Sequence, residues 1–140
     1  MSVYPSKAAL TLATAMAMGA ALGGSPAARA QSPALYTDAQ AQKGVDAYET
    51  SCAMCHGANM EGAQAPTLLG ATLTNQYPTV GALMQFIVQN MPMNDPGSLS
   101  HEDYVDILAY VLLKNGLPSG SQALTFAVAS ASRTPLPPSQ

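Results

Sequence analysis

Residues 52–56 read Cys-Ala-Met-Cys-His, and this short run constrains everything folded around it. Two thiols stand two positions apart, with an imidazole directly after the second. The chain has 140 residues, no further cysteine, and one further histidine, His101. A zinc site needs four ligands, and the cysteines and histidines here do not supply a set. A dithiol redox pair calls for a βαβ setting, whereas the flanks of this motif read as helix and loop. A plain disulfide leaves the adjoining His56 without a role.

C-x-x-C-H is the attachment sequence for c-type haem. The spacing follows from the chemistry. Cys52 and Cys55 reach two vinyl groups of one porphyrin, and His56 then falls under the iron as a ligand. The thioether links make the cofactor permanent, so an exported protein does not lose it. The stretch 38–117, about 80 residues, is also small for a core built of protein alone, and such domains often lean on a cofactor.

Export is written into the first thirty residues. Lys7 gives a positive start, Ala8–Gly24 is uncharged and Ala-rich, and Ala28-Arg29-Ala30 is a small-x-small cleavage pattern. The run is too short and too rich in Ala and Gly for a membrane span, which needs about 20 strongly apolar residues. Residues 1–30 are therefore read as a secretory signal cleaved near Ala30/Gln31, with the mature chain in the bacterial periplasm and no stable membrane span. That mature chain carries three basic and eight acidic residues, a net charge of −5 with His neutral. Such a balance argues against nucleic acid, which calls for clustered Lys and Arg. It suits docking to a basic patch on a protein partner. Residues 31–117 form the expected domain. Residues 118–140 are a Pro/Ser/Ala-rich tail, extended or disordered at its end, in which 124–128 either lies on the surface or pairs as a short strand.

The pattern between is helical. Thr37 or Asp38 caps a helix to about Thr50, with Val45 and Tyr48 on one face beside Gly44. A glycine inside a helix costs about 1 kcal/mol against alanine, so close packing must compensate. Residues 57–77 read as loop. Leu83, Phe86 and Ile87 give one face of a helix over 79–89. A Pro- and Gly-broken loop follows, and Ser100 with Asp103 forms a capping box that opens a helix over 101–114. Its stripe is Tyr104, Ile107, Leu108, Val111 and Leu112, and Asn115-Gly116 stops it. His101 belongs to the exposed first turn. The loop before this helix carries Met91 and Met93, the two candidates for a sixth iron ligand; Pro92 stiffens the chain next to Met91 and favours it. A His/Met pair would raise the reduction potential.

At these residues the chain resembles class I cytochromes c of the small, soluble bacterial kind. The resemblance covers about Gln40–Leu117. It rests on Gly44 and Tyr48 ahead of Cys52–Gly57, on Ala65-Pro66-Thr67-Leu68-Leu69-Gly70, on Asn90-Met91-Pro92 and on Leu108–Leu112. It implies an all-α fold of three to five helices around one covalently bound haem c. The first helix should cross the last, with Gly44 meeting Tyr110. The Pro66 carbonyl should accept a hydrogen bond from His56 Nδ1, and Met91 should be the sixth ligand. The segment Met91–Ser100 is similar to that of cytochromes paired with periplasmic dehydrogenases, including those for alcohols. The implied function is electron transfer, not enzyme catalysis. A periplasmic dehydrogenase would be the donor, and a respiratory cytochrome or terminal oxidase the acceptor. The alternative is a cytochrome with a displaceable sixth ligand, acting as a peroxidase-like enzyme or a ligand sensor.

Overall fold

A computed structural model describes Met1 and residues 33–136; the secretory segment read at the N-terminus, Met1 apart, lies outside the described residues. The described chain is all-α, with helices α1 (Asp38–Ser51), α2 (Ala53–His56), α3 (Gly70–Gln76), α4 (Val80–Asn90), α5 (His101–Lys114) and α6 (Phe126–Ala131). Among the described residues the one β-type pairing is an isolated antiparallel bridge between Thr79 and Pro135.

Local chemistry explains where the helices start. Thr37 caps α1 and pairs reciprocally with Gln40 in a capping box. Thr79 and Ser100 cap α4 and α5 through their hydroxyl oxygens. Helix α5 is the centre of the molecule: Tyr104 to Ala109, Val111 and Leu112 are all buried. Burying each large apolar side chain contributes about 1.5–3 kcal/mol, so this helix dominates the core.

Helix α1 lies across α5 on a narrow stripe of Ala41, Gly44 and Tyr48. Gly44 explains the closeness. A Cβ added there would collide with the backbone carbonyl oxygen of Asp106 and stand 2.9 Å from Cβ of Tyr110. Tyr48 then packs edge-on against Tyr110, with ring centroids 5.6 Å apart. The compensation that a mid-helix glycine demands is therefore this crossing.

Two expectations are corrected. The loop read over 57–77 contains a helix, α3, whose Leu73 is buried. The segment after Leu117 is not a loose tail as far as Leu136: it folds back over the domain, carries α6, and buries Leu124, Ala129 and Leu136. Of the two readings of 124–128, the strand fails, because Thr125 caps a helix there; the stretch lies on the domain surface, with Thr125, Ala127 and Val128 exposed and Leu124 buried. Among the described residues the helix count rises to six through these two and the single turn α2.

Candidate functional site

The motif sits where α1 ends. The Cys52 N–H donates to the Tyr48 carbonyl at 2.8 Å, closing α1, while its own carbonyl accepts from Cys55 N–H (3.1 Å) and His56 N–H (3.0 Å) to start α2. One helical turn thus presents Cys52, Cys55 and His56 together. Both cysteines are half-buried and not joined in a disulfide. Burial, with Cys55 adding, pushes the Cys52 thiol up to about 11. That is opposite to the lowered thiol of a dithiol oxidoreductase, so Cys52 is not built as a thiolate nucleophile.

The loop after the motif is tied back onto it. Gly62 N–H donates to the His56 carbonyl (2.7 Å) and Ala65 N–H to the Cys55 carbonyl (2.9 Å). Met60, fully buried, adopts a left-handed φ of 65° and offers its carbonyl to Leu68 N–H (2.9 Å) and to the Thr67 hydroxyl (2.7 Å). Such a conformation costs about 1–3 kcal/mol and persists because the surrounding bonds over-determine it. The clasp brings the Pro66 carbonyl 2.8 Å from His56 Nδ1. A carbonyl oxygen only accepts, so the proton belongs on Nδ1, and Nε2 keeps the lone pair that a metal would take. Under the motif, the buried Tyr48 hydroxyl donates to the Gly57 carbonyl at 2.7 Å. Burial raises its pKa, with Cys52, Glu61 and Tyr110 adding, which keeps it a donor.

Met91 is the C-cap of α4 and is half-buried; the Tyr104 hydroxyl donates to its carbonyl at 2.6 Å. The Met91–Pro92 peptide is cis. Met93 is 78 % exposed, and Met60 and Met84 are buried in the core. His101 is exposed on the first turn of α5, its ring stacked on Phe126 with centroids 3.7 Å apart. Two open grooves, about 560 and 350 Å³, run along α1 and α5 past Lys43, Glu102 and Asp106; neither is lined by the cysteines or His56.

A family model described as cytochrome c oxidase, cbb3-type, subunit III, matches residues 39–111. The chain belongs to this cytochrome c family. Membership makes haem c the cofactor of the domain and electron transfer its class of function. Among solved structures, the cytochrome resembles the sulfane dehydrogenase SoxCD from Paracoccus pantotrophus, with a TM-score of 0.56 and 25 % identity over 74 % of this chain. The match spans 60 % of that longer chain. No curated protein matches the sequence.

The donor set of this cytochrome fits the cofactor: two unpaired thiols on one turn, and an imidazole turned by its Nδ1 bond so that Nε2 is unengaged. Sequence reading missed the residues that hold this arrangement in place. Asn115, taken only as a helix stop, accepts from Gly70 N–H (2.9 Å) and donates to the carbonyls of Leu68 (2.9 Å) and Val111 (2.8 Å). It thereby ties the end of the attachment loop to α5. Tyr104 was legible as core; its hydroxyl bond to the Met91 backbone was not, because nothing local to either residue signals it.

Proposed function

We propose that the cytochrome is an exported single-electron carrier. In this reading one haem c is bonded through Cys52 and Cys55, with His56 and Met91 as axial ligands. It moves electrons in the periplasm from a dehydrogenase to a respiratory cytochrome or terminal oxidase. The observation that carries the reading is the His56 Nδ1–Pro66 bond beside two unpaired thiols: it leaves a single oriented nitrogen, Nε2, that could bind a haem iron held through the same turn. Haem, when bound, supplies the ferrous/ferric couple.

The chain's own residues supply the rest. Tyr48, Met60 and Asn115 hold the attachment loop; Tyr104 holds the Met91 backbone. Met91 is favoured over Met93 because it is half-buried and anchored, whereas Met93 is 78 % exposed. A dehydrogenase as donor is supported by the resemblance to a protein named for that activity, a sulfane dehydrogenase. Within the described residues no helix is long and apolar enough to cross a membrane. The peroxidase-like alternative wants a distal acid–base group, and the one spare histidine, His101, is engaged with Phe126.

The test is expression in an export-competent host with haem maturation. The expected product is red, keeps its colour through acid–acetone extraction, and shows in the ferric state the weak long-wavelength band of thioether ligation. Colour that washes out sinks covalent attachment. A high-spin ferric spectrum instead sinks Met91 ligation.

A further inference from the structure

The N-terminal N–H groups of a helix have no partner inside it. In α4, the Thr79 hydroxyl takes one of them, Ala82 N–H (3.2 Å), while the Thr79 carbonyl accepts the first regular helical bond, from Leu83 N–H (3.1 Å). Two others reach far down the chain. Val80 N–H donates to the Thr134 carbonyl (2.9 Å) and Gly81 N–H to the Ser132 carbonyl (3.0 Å). On the next turn, Gln85 Nε2 donates to the Ser130 carbonyl at 3.0 Å. Leu136 N–H reaches back to the Pro78 carbonyl at 3.3 Å. The fit is tight enough to require glycine: a Cβ at Gly81 would stand 2.5 Å from the Ser132 oxygen.

This segment is itself fastened to the domain. The Gln40 amide both donates to and accepts from the Leu124 backbone, each at 2.8 Å. His101 stacks on Phe126, and Leu124, Ala129 and Leu136 are buried. The family match ends at residue 111, so the segment 124–136 itself lies beyond it, while its partners on α1, α4 and α5 lie within it. At the far end of α4, 11 residues and about 16 Å away, stands Met91. A helix is stiff, so how its first turn is held decides where its last residue rests.

We propose that residues 124–136 are a strap that positions Met91 through α4 and so keeps the sixth-ligand side of the haem closed. This deepens, and rests on, the Met91 reading above. The strap residues are positioning residues: they touch α4, not the cofactor.

The test uses the full-length haem-loaded protein and three variants. Gly81→Ala pushes the Ser132 carbonyl away while favouring helix in α4, so a weakened Met91 cannot be blamed on lost helix propensity. Gln85→Ala removes one strap bond from an exposed position. Thr37→Ala removes the cap of α1 and serves as a control of similar structural damage. Measured are hydrogen exchange over residues 80–90, the ferric thioether band, and cyanide affinity, which scales with the fraction of molecules in which Met91 has moved away. For Gly81→Ala we expect faster exchange at the start of α4, a weaker band, covalent haem intact, and cyanide affinity raised about tenfold. Gln85→Ala should shift the same way by less, and decides the matter if Gly81→Ala does not fold. Thr37→Ala should leave band and cyanide affinity at wild-type values. Faster exchange with unchanged band and affinity would overturn the coupling, and unchanged exchange would overturn the clamp. A wild-type protein without the thioether band refutes the Met91 reading itself, and the strap's role with it; the band in wild type with indifferent variants refutes the strap alone.

Discussion

The two sides of the candidate haem site are built in different ways. On the His56 side, the chain from Cys52 to Gly70 is laced by backbone bonds, with Tyr48, Thr67 and Asn115 adding side-chain bonds from within and from two other helices. On the Met91 side, residues 93–98 are all exposed, and the loop's own bonds are Asp95 N–H to the Pro92 carbonyl (2.9 Å) and Ser98 N–H to the Asp95 carbonyl (3.3 Å). Stability follows such differences: segments with few buried contacts and exposed hydrogen bonds open at low free energy. In the arrangement proposed above, the His56 side would be a permanent seat and the Met91 side a latch whose position is set from elsewhere, by Tyr104 and by the strap on α4.

The largest expected effect separates the two sides outright. Met91→Ala should abolish the thioether band and leave a ferric protein that takes cyanide freely, while the covalent haem and the His56 side persist. Met93→Ala should leave the spectrum unchanged. Spectra of the pair decide it, and the opposite outcome would move the ligand two residues along the loop. Next comes Asn115→Ala on the seat side. It leaves the Leu68 carbonyl and Gly70 N–H without their partner, at a cost of about 2–3 kcal/mol in chemical denaturation. The band should stay, because the loss falls on the attachment loop. A lost band at unchanged stability would show that the two sides are not separable.

How much of this was legible in the sequence differs between the same two regions. C-x-x-C-H is a local pattern, because its chemistry needs those residues at that spacing, and α1, α4 and α5 were readable from caps and apolar period. Gly44 signalled a close approach, and its partners at Asp106 and Tyr110 follow from the helix crossing. The strap was not readable. Helix α6 has six residues, mostly small, with no charge in its first or last turn, and the strap's grip on α4 runs through the carbonyls of Ser130, Ser132 and Thr134, which every residue type possesses. Asn115 reads from sequence as a helix stop alone, because its partners at 68–70 come near only when the loop closes. Helix α3 failed to register because Leu73 is its one buried side chain, which leaves no periodicity to detect.

Tyr104→Phe probes the latch more gently. It removes the hydroxyl that holds the Met91 carbonyl at 2.6 Å, a loss of about 1 kcal/mol. If that loss falls on the Met91-bound state, cyanide affinity should rise about fivefold. Equilibrium titration of the ferric protein measures it. A global loss of stability with no change in cyanide affinity would mean that Tyr104 merely packs.

The smallest effect concerns the joint between the two regions, where α1 crosses α5. Asp106 is 4 % exposed, and its backbone carbonyl faces Gly44. Burial raises its carboxyl pKa; Lys43 on α1 pulls the other way, and Glu102 and Asp103 on its own helix push further up. Lys43 is the strongest of these neighbours, although it is also paired at 2.9 Å with Glu102, and burial still outweighs it. The sign follows from proton binding. Between the ordinary carboxylate range and the raised folded value, the folded chain holds the proton more tightly than the unfolded chain does. Stability contributed by this group is therefore greatest at low pH, falls as pH rises through that window, and stays reduced above it. Asp106→Asn should remove the dependence: the variant gains on the wild type from acid toward neutral pH and matches it most closely in acid. Because α1 leads into the seat and α5 follows the latch, the gain should appear in denaturation midpoints without altering the band or cyanide affinity. A pH-dependent change in cyanide affinity that vanishes in Asp106→Asn would place this carboxyl in the control of Met91, and the joint would then belong to the latch.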